Sequence, residues 1–121
     1  MKLRAPGKVF LAGEYAVLER GRPALVVGID RFLEATVEPA RKLSLEHRGI
    51  VWSEGPPPPG LRFAVRAVQL AKPQRPFKLV YENELAFEGK KLGLGGSAAA
   101  TVIAVRAARP DLDDRQTLAL A

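Results

Sequence analysis

The sequence of 121 residues contains no cysteine and carries 19 Lys and Arg against 13 Asp and Glu, which gives a formal net charge of +6. An apolar fraction of 47% and a charged fraction of 26% are typical of one globular domain and exclude an intrinsically disordered chain. The lack of cysteine excludes disulfides and a thiol nucleophile. Because the sequence has no long apolar run, we expect neither a secretory signal nor a membrane-spanning segment.

The first half of the chain has the residue pattern of a β-sheet. Short apolar runs bounded by glycine or proline, and runs in which apolar and polar residues alternate, are typical of strands. On this basis strands are predicted at residues 9–12, 24–27, 32–37, 43–46 and 50–52. Four consecutive prolines from Pro56 to Pro59 follow, and they predict a loop because proline cannot donate a backbone hydrogen bond.

The second half has the pattern of helices around one further strand. It predicts a helix at residues 61–71, a strand at 77–81, a helix at 97–109 and the beginning of a helix from residue 113. The helix at 97–109 is apolar on nearly all sides, so we expect it to be largely buried. No stop signal for this last helix follows residue 113, and we therefore expect these residues to be part of a longer protein.

Positive charge is concentrated in one stretch between Gly55 and Tyr81, which contains no acidic residue. Its cations are Arg62, Arg66, Lys72, Arg75 and Lys78. Nucleic-acid binding would call for more aromatic side chains than Phe63 and Phe77, and no nucleic-acid-binding motif is present. We therefore predict no nucleic-acid partner and interpret the stretch as a solvated basic surface, or as one covered by an acidic partner segment. Phe63 is predicted to anchor the core or a loop.

A glycine-rich loop leads directly into the buried helix and is the strongest functional signal in the sequence. It comprises Gly93, Leu94, Gly95, Gly96, Ser97, Ala98 and Ala99. The glycines let the backbone approach a ligand closely, and Ser97 occupies the position expected of a helix N-cap. Unpaired N–H groups and the positive end of the helix dipole make such a helix start an anion site. The loop is interpreted either as a phosphate site, with the Ser97 hydroxyl as a Mg²⁺ ligand, or as the cap of a core helix.

Two common phosphate-binding motifs do not fit this loop. A P-loop requires Gly-Lys-Ser or Gly-Lys-Thr after its glycines, and the sequence contains neither tripeptide. A dinucleotide-binding fingerprint must follow a strand directly, whereas this loop follows the polar residues Glu-Gly-Lys-Lys at 88–91.

The loop resembles the second sequence motif of the GHMP small-molecule kinases, in which Gly-Leu-Gly-Ser-Ser-Ala-Ala opens a helix and holds the phosphates of ATP. The N-terminus is similar to the first motif of that family, with Ala-Pro-Gly-Lys at residues 5–8, Gly-Glu at 13–14 and a valine-rich strand after them. The resemblance implies an α+β fold similar to domain 2 of ribosomal protein S5. Residues 1–121 would then form an incomplete N-terminal, ATP-phosphate-binding domain, with the C-terminal domain absent.

The resemblance also implies roles for individual residues. Lys8 corresponds to the lysine that reaches the transferring phosphoryl group, and Glu14 and Tyr15 correspond to positions beside the acceptor substrate. Residues 93–99 correspond to the ATP-phosphate loop, in which Ser97 matches the serine that ligates Mg²⁺. Gly96 departs from the family, which usually has the first of two serines there, so one hydroxyl contact to phosphate is lost.

The implied activity is transfer of the γ-phosphoryl group of ATP, with Mg²⁺, to a small molecule in the cytoplasm, with no nucleic acid or membrane as partner. Residues 13–19 and 88–95 are most similar to family members that act on phosphomevalonate in isoprenoid synthesis, and mevalonate is the nearest alternative acceptor. A non-catalytic basic binding module of the same fold is the alternative from another class. The family's catalytic acid and third glycine-rich motif lie beyond the second motif's helix, so we expect residues 1–121 alone to be inactive.

Overall fold

The computed structural model describes residues 1–13, 18–84 and 96–121. These residues form five strands, β1 (Lys2–Ala12), β2 (Leu25–Pro39), β3 (Ser44–His47), β4 (Ile50–Trp52) and β5 (Phe77–Tyr81). They also form three α-helices, α1 (Arg62–Ala71), α2 (Gly96–Ala108) and α3 (Asp114–Leu120). A 3₁₀ turn at Pro59–Leu61 leads from the proline-rich loop into α1. The predicted α+β class is confirmed, and among the described residues no helix is long and apolar enough to cross a membrane.

The strands form one sheet with the spatial order β1-β2-β5-β3-β4. Neighbouring strands are antiparallel except for β3 and β5, which are parallel. A parallel pair needs a crossover connection, and here β4 and α1 carry the chain from β3 to β5. As a result β5 lies in the centre of the sheet, although it is the last of the described strands along the chain.

Strands β1 and β2 are longer than the sequence pattern predicts. β1 continues through Pro6 and Gly7, and β2 joins the two strands predicted at residues 24–27 and 32–37 into one strand of 15 residues. Proline is tolerated in β1 because this strand lies at the edge of the sheet. Gly28 does not interrupt β2 because its backbone is extended and pairs with Lys8 of β1.

The core lies between one face of the sheet and the helices. Alternate residues of β2 and β5 point to this face, as the period of a strand requires. Their buried members are Leu33, Ala35, Val37, Phe77, Leu79 and Tyr81. The residues between them, such as Glu38 and Lys78, are exposed on the opposite face. Since burying a leucine of this kind stabilises the fold by about 2 kcal/mol, this one face contributes much of the stability.

Helix α1 is amphipathic, as predicted. Its buried residues are Ala64, Val65, Ala67, Val68 and Ala71. The helix ends at Ala71. The N–H of Lys72 still bonds the carbonyl of Val68, but the left-handed backbone of Lys72 (φ 53°) turns the chain out of the helix, and Pro73 prevents further helix. Phe63 is 54% exposed on the outer side of α1, so the prediction that it anchors the core or a loop is wrong. The reason is that the inward positions of this helix are occupied by small and β-branched residues, which leave the ring facing outwards.

Helix α2 is covered on several sides, as its apolar sequence predicts. It packs against β1, β2, β5, α1 and α3. Its buried residues are Ala99, Ile103, Ala104, Val105, Ala107 and Ala108. The helix begins at Gly96, one residue before the predicted start, and ends at Ala108, shortly before Pro110.

Helix α3 begins with a capping box, which confirms the helix predicted from residue 113. The Asp113 carboxylate accepts the backbone N–H of Gln116 at 2.8 Å, and the Gln116 side chain accepts the N–H of Asp113 at 3.0 Å. Arg106 of α2 secures this segment, because its guanidinium donates to the carbonyl of Leu112 at 2.7 Å and forms an ion pair with Asp114.

Candidate functional site

Lys8 lies near the end of β1, opposite Gly28 of β2, and is half-buried. The ladder shifts register between Pro6 and Lys8, so Gly7 occupies an irregularity of the β-bulge type. A bulge changes the direction in which the following side chains point, and such features are frequent beside functional sites. The Pro6-Gly7 pair therefore helps to set the direction of the Lys8 side chain.

The first turn of α2 contains Gly96, Ser97, Ala98 and Ala99. Ala99 is buried, whereas Ser97 and Ala98 are exposed. Because the helix begins at Gly96, Ser97 lies inside this turn and not at the N-cap position that the sequence predicts. The N–H groups of a first turn have no partner within the helix, and this turn contains no acidic side chain. The described turn therefore combines a positive helix end with two exposed residues, Ser97 and Ala98, and such a turn can bind an anion.

Tyr81 fixes the N-terminal half of α2 to the sheet. Its hydroxyl donates a 2.6 Å hydrogen bond to the backbone carbonyl of Ala100. Its ring lies edge-on to that of His47, with 5.9 Å between the centroids. Burial raises the pKa of the Tyr81 hydroxyl above its ordinary value, so the group keeps its proton and remains a donor.

Sequence reasoning did not single out Tyr81. The signal that could have found it is an aromatic hydroxyl at the last inward position of an alternating strand, since a buried tyrosine hydroxyl needs a partner.

The pairing register brings Lys8 and the start of α2 to the same end of the sheet. Leu3, Ala35 and Tyr81 form one row across β1, β2 and β5. Both β1 and β5 are antiparallel to β2, so they run in the same direction, and Lys8 lies beyond this row along β1. Tyr81 is the last residue of β5 and is bonded to Ala100, which places the start of α2 at that end as well.

The other predicted site residues lie outside the residues that the structure describes. They are Glu14, Tyr15, Gly93, Leu94 and Gly95. Gly13, which directly precedes Glu14 and Tyr15, is described and has a φ of 82°. A Cβ at Gly13 would lie 2.6 Å from the carbonyl oxygen of Pro23, so both the backbone angle and the close approach require glycine.

The described part of the site offers Mg²⁺ little beyond one hydroxyl. Within residues 1–13, 18–84 and 96–121, no group of three His, Cys, Asp or Glu side chains is placed to hold a metal ion. The exposed hydroxyl of Ser97 is a neutral oxygen, which Mg²⁺ accepts when nucleotide phosphates supply most of its other ligands. These residues therefore fit a metal ion that arrives with a nucleotide.

Comparison with known proteins gives relatives that are kinases. A phosphomevalonate kinase from Streptomyces sp. strain CL190 is 32% identical over an alignment of 134 positions, and this alignment covers 85% of this chain and 36% of the relative. The structure of Streptococcus pneumoniae phosphomevalonate kinase in complex with phosphomevalonate and AMPPNP matches with a TM-score of 0.86 and 25% identity, over 99% of this chain and 40% of that chain. The mevalonate kinase of Methanococcus jannaschii shares the fold, with a TM-score of 0.80 and 20% identity over 99% of this chain and 44% of that one. No protein-family model matches the chain.

These similarities confirm the relationship to the GHMP small-molecule kinases that the two motifs predict, and they cover the N-terminal part of those enzymes. The fold of the chain is that of a GHMP kinase N-terminal domain. Among the relatives, phosphomevalonate kinase is matched both in sequence and in structure. The chain spans about two fifths or less of the length of these two phosphomevalonate kinases.

Gly13→Ala should destabilise the chain more than Gly21→Ala does. Both glycines have a positive φ, of 82° and 84°, but a Cβ at Gly21 meets no atom within 4 Å. Each variant should lose about 1 kcal/mol through the left-handed backbone. Gly13→Ala should lose about 1–3 kcal/mol more through the contact with Pro23. Urea unfolding followed by Trp52 fluorescence measures both losses, and equal losses would contradict the close approach at Gly13.

Tyr81→Phe should lower the free energy of unfolding by about 1 kcal/mol at pH 7, because the hydrogen bond from the hydroxyl to the carbonyl of Ala100 is lost. The folded-state pKa of Tyr81 is raised above its ordinary value of 10.0, so the stabilisation is fully present below pH 10 and is lost as the pH rises further. Above pH 10 the free energy of unfolding of the wild type should therefore fall towards that of Tyr81→Phe. Urea unfolding of both proteins from pH 7 to 11 tests this, and a pH-independent difference would contradict it.

Proposed function

We propose that this chain forms the ATP-phosphate-binding part of a kinase whose acceptor is phosphomevalonate. The observation that carries the proposal is the 32% identity to a phosphomevalonate kinase across 85% of this chain. The solved neighbour supports it too, because that protein holds phosphomevalonate and AMPPNP, an analogue of ATP. A cytoplasmic location and small-molecule partners, without nucleic acid, belong to the same proposal.

In this proposal Lys8 stabilises the phosphoryl group during transfer. Phosphoryl transfer spreads negative charge over the oxygens of the migrating group, and catalysis consists mainly of positioning and electrostatic stabilisation. A half-buried lysine that follows a bulge has less freedom than a surface lysine, so its ammonium is held ready for that charge. Its place at the same end of the sheet as the start of α2 supports a joint role with that helix.

The first turn of α2 would bind the phosphates of ATP. The N–H groups of Gly96, Ser97 and Ala98 would donate to phosphate oxygens, and the small side chains allow a close approach. The hydroxyl of Ser97 would ligate Mg²⁺, which when bound neutralises charge on the phosphates. The hydrogen bond from Tyr81 to Ala100 holds the turn in place, so its donors need no rearrangement during the reaction.

Residues outside the described ranges would complete the site. Gly93, Leu94 and Gly95 would extend the phosphate-binding loop, with Ala99 closing the first turn behind it. Glu14 and Tyr15 would orient polar groups of the acceptor through a carboxylate and a phenol. Gly96 offers an N–H but no hydroxyl, so the affinity for ATP should be lower than in family members with serine there.

Lys8→Met should weaken the binding of MgATP to the chain by about 10-fold, since one charge-assisted contact is lost while the aliphatic stem remains. The binding is measured by NMR titration, in which the amide signals of Gly96, Ser97 and Ala98 should shift. Lys42→Ala is the matched control, because Lys42 is exposed and pairs with Glu54 away from this site. Equal weakening in the control, or unshifted amides in the first turn of α2, would contradict the assignment.

The acceptor is tested by steady-state kinetics on the full product of the reading frame that encodes these residues. We expect kcat/KM for phosphomevalonate to exceed that for mevalonate by on the order of 10⁴-fold. Mevalonate lacks the phosphate, so it leaves the polar groups that bind the phosphate without partners. A preference for mevalonate would assign the protein to the alternative acceptor. Residues 1–121 alone should release ADP only at the background rate, and release that depends on phosphomevalonate would contradict their proposed inactivity.

A further inference from the structure

The outer side of α1 carries an exposed row of apolar and basic side chains. Phe63, Arg66 and Leu70 lie at positions i, i+3 and i+7, which share one face of a helix. Phe63 is 54% and Leu70 51% exposed, although both are large apolar residues. The guanidinium of Arg62 lies 5.2 Å from the centroid of the Phe63 ring. We call these four residues the α1 outer stripe.

The positive charge of this surface is not balanced by acids of the same segment. Residues 55–81 contain five Arg and Lys and no Asp or Glu, so they account for five of the six net positive charges of the chain. The ion pairs found in the described ranges use the cations Lys2, Arg22, Lys42, Arg48, Arg106 and Arg109. None of these pairs involves Arg62 or Arg66, nor Lys72 and Arg75, which follow the helix.

The stripe is also not needed to build the core of this chain. α1 already buries its opposite side through small and β-branched residues, which pack towards α2. Exposed aromatic side chains beside arginines are typical of protein–protein contacts, in which aromatic residues and arginine are enriched. The apolar part would gain from burial, while the basic part selects a partner of opposite charge.

We propose that the α1 outer stripe binds an acidic amphipathic helix of a partner protein. The apolar face of that helix would cover Phe63 and Leu70, and its flanking Glu or Asp residues would pair with Arg62 and Arg66. Lys72 and Arg75, which follow the end of α1, are exposed as well and add to the positive charge near it. Complementary charge would fix the orientation of the partner and speed its association.

Charge and side-chain chemistry favour this partner over two others. A second copy of the chain carries the same net charge of +6 and the same unbalanced cations, so two stripes would repel each other. A nucleic acid would pair with the arginines but would leave Leu70 without an apolar contact. Phe63 is also the single aromatic residue of α1, whereas single-stranded nucleic acids are bound by several stacking side chains.

The test measures binding of the 121-residue chain to a fluorescein-labelled helical peptide. The peptide carries leucines at i, i+3 and i+7 with glutamates beside them, and a second peptide has the same composition in scrambled order. By fluorescence anisotropy the patterned peptide should bind about 10-fold tighter than the scrambled one. Phe63→Ala/Leu70→Ala and Arg62→Gln/Arg66→Gln should each weaken it by about 10-fold. Of the two double variants, only Arg62→Gln/Arg66→Gln should also make binding less dependent on the salt concentration.

Two matched double variants serve as controls. Ile50→Ala/Val51→Ala removes apolar side chains that are 46% and 58% exposed on β4, and Arg20→Gln/Arg41→Gln removes two exposed cations elsewhere. Both should leave the affinity for the patterned peptide within about twofold of the wild type, a change of at most about 0.4 kcal/mol. Circular dichroism verifies that each variant is folded before it is compared.

Several outcomes would overturn the proposal. These are undetectable peptide binding, equal affinity for the patterned and scrambled peptides, and equal weakening by the control variants. Tighter binding of a 20-nucleotide oligo-dT than of the patterned peptide would identify a nucleic-acid surface instead. Dimerisation in sedimentation equilibrium that Phe63→Ala/Leu70→Ala abolishes would identify a second copy as the occupant. No nucleotide or acceptor enters these measurements, so their outcome is independent of the proposed function.

Discussion

The structure depends on the burial of one face of the sheet beneath α2. This helix is apolar on nearly all sides, so it is stable only where neighbours cover it, and strands β1, β2 and β5 together with α1 and α3 provide that cover. These neighbours hold the helix against the sheet, with its first turn at one end of this packing. Tyr81 secures that place through one hydrogen bond to a backbone carbonyl. The proposed phosphate site is thus the first turn of a helix that is otherwise packed largely into the core.

Local patterns predicted most of the elements, and they failed where a distant neighbour decides the outcome. Alternation at 77–81 and helical spacing at 61–71 indicated β5 and α1 because each of these elements buries one side. β2 was predicted as two strands, since Gly28 is a local signal for a break, yet pairing with Lys8 keeps the strand continuous. The prediction for Phe63 was wrong because aromatic residues are expected to be buried. The exposure of Phe63 depends instead on which side of α1 packs against α2.

The candidate site was predictable in its parts and not in its arrangement. The motifs named Lys8 and Ser97, but the register of β1, β2 and β5 brings them to one end of the sheet, and this register is a long-range property. Ser97 was predicted as the N-cap of α2 but lies within the helix, because the helix already includes Gly96. Tyr81 belongs to no motif, and its role is a contact with a carbonyl whose position only the packed helix defines.

The central position of β5 has a consequence for the order in which the chain folds during synthesis. β1 and β2 pair with each other and can form a hairpin early, but β5 is inserted between β2 and β3, which are made well before it. Such non-local pairing is slow, and the inner face of the sheet stays uncovered until α2 has left the ribosome. Until then side chains such as Leu33 present an apolar surface to water, the kind of surface through which incompletely folded chains aggregate.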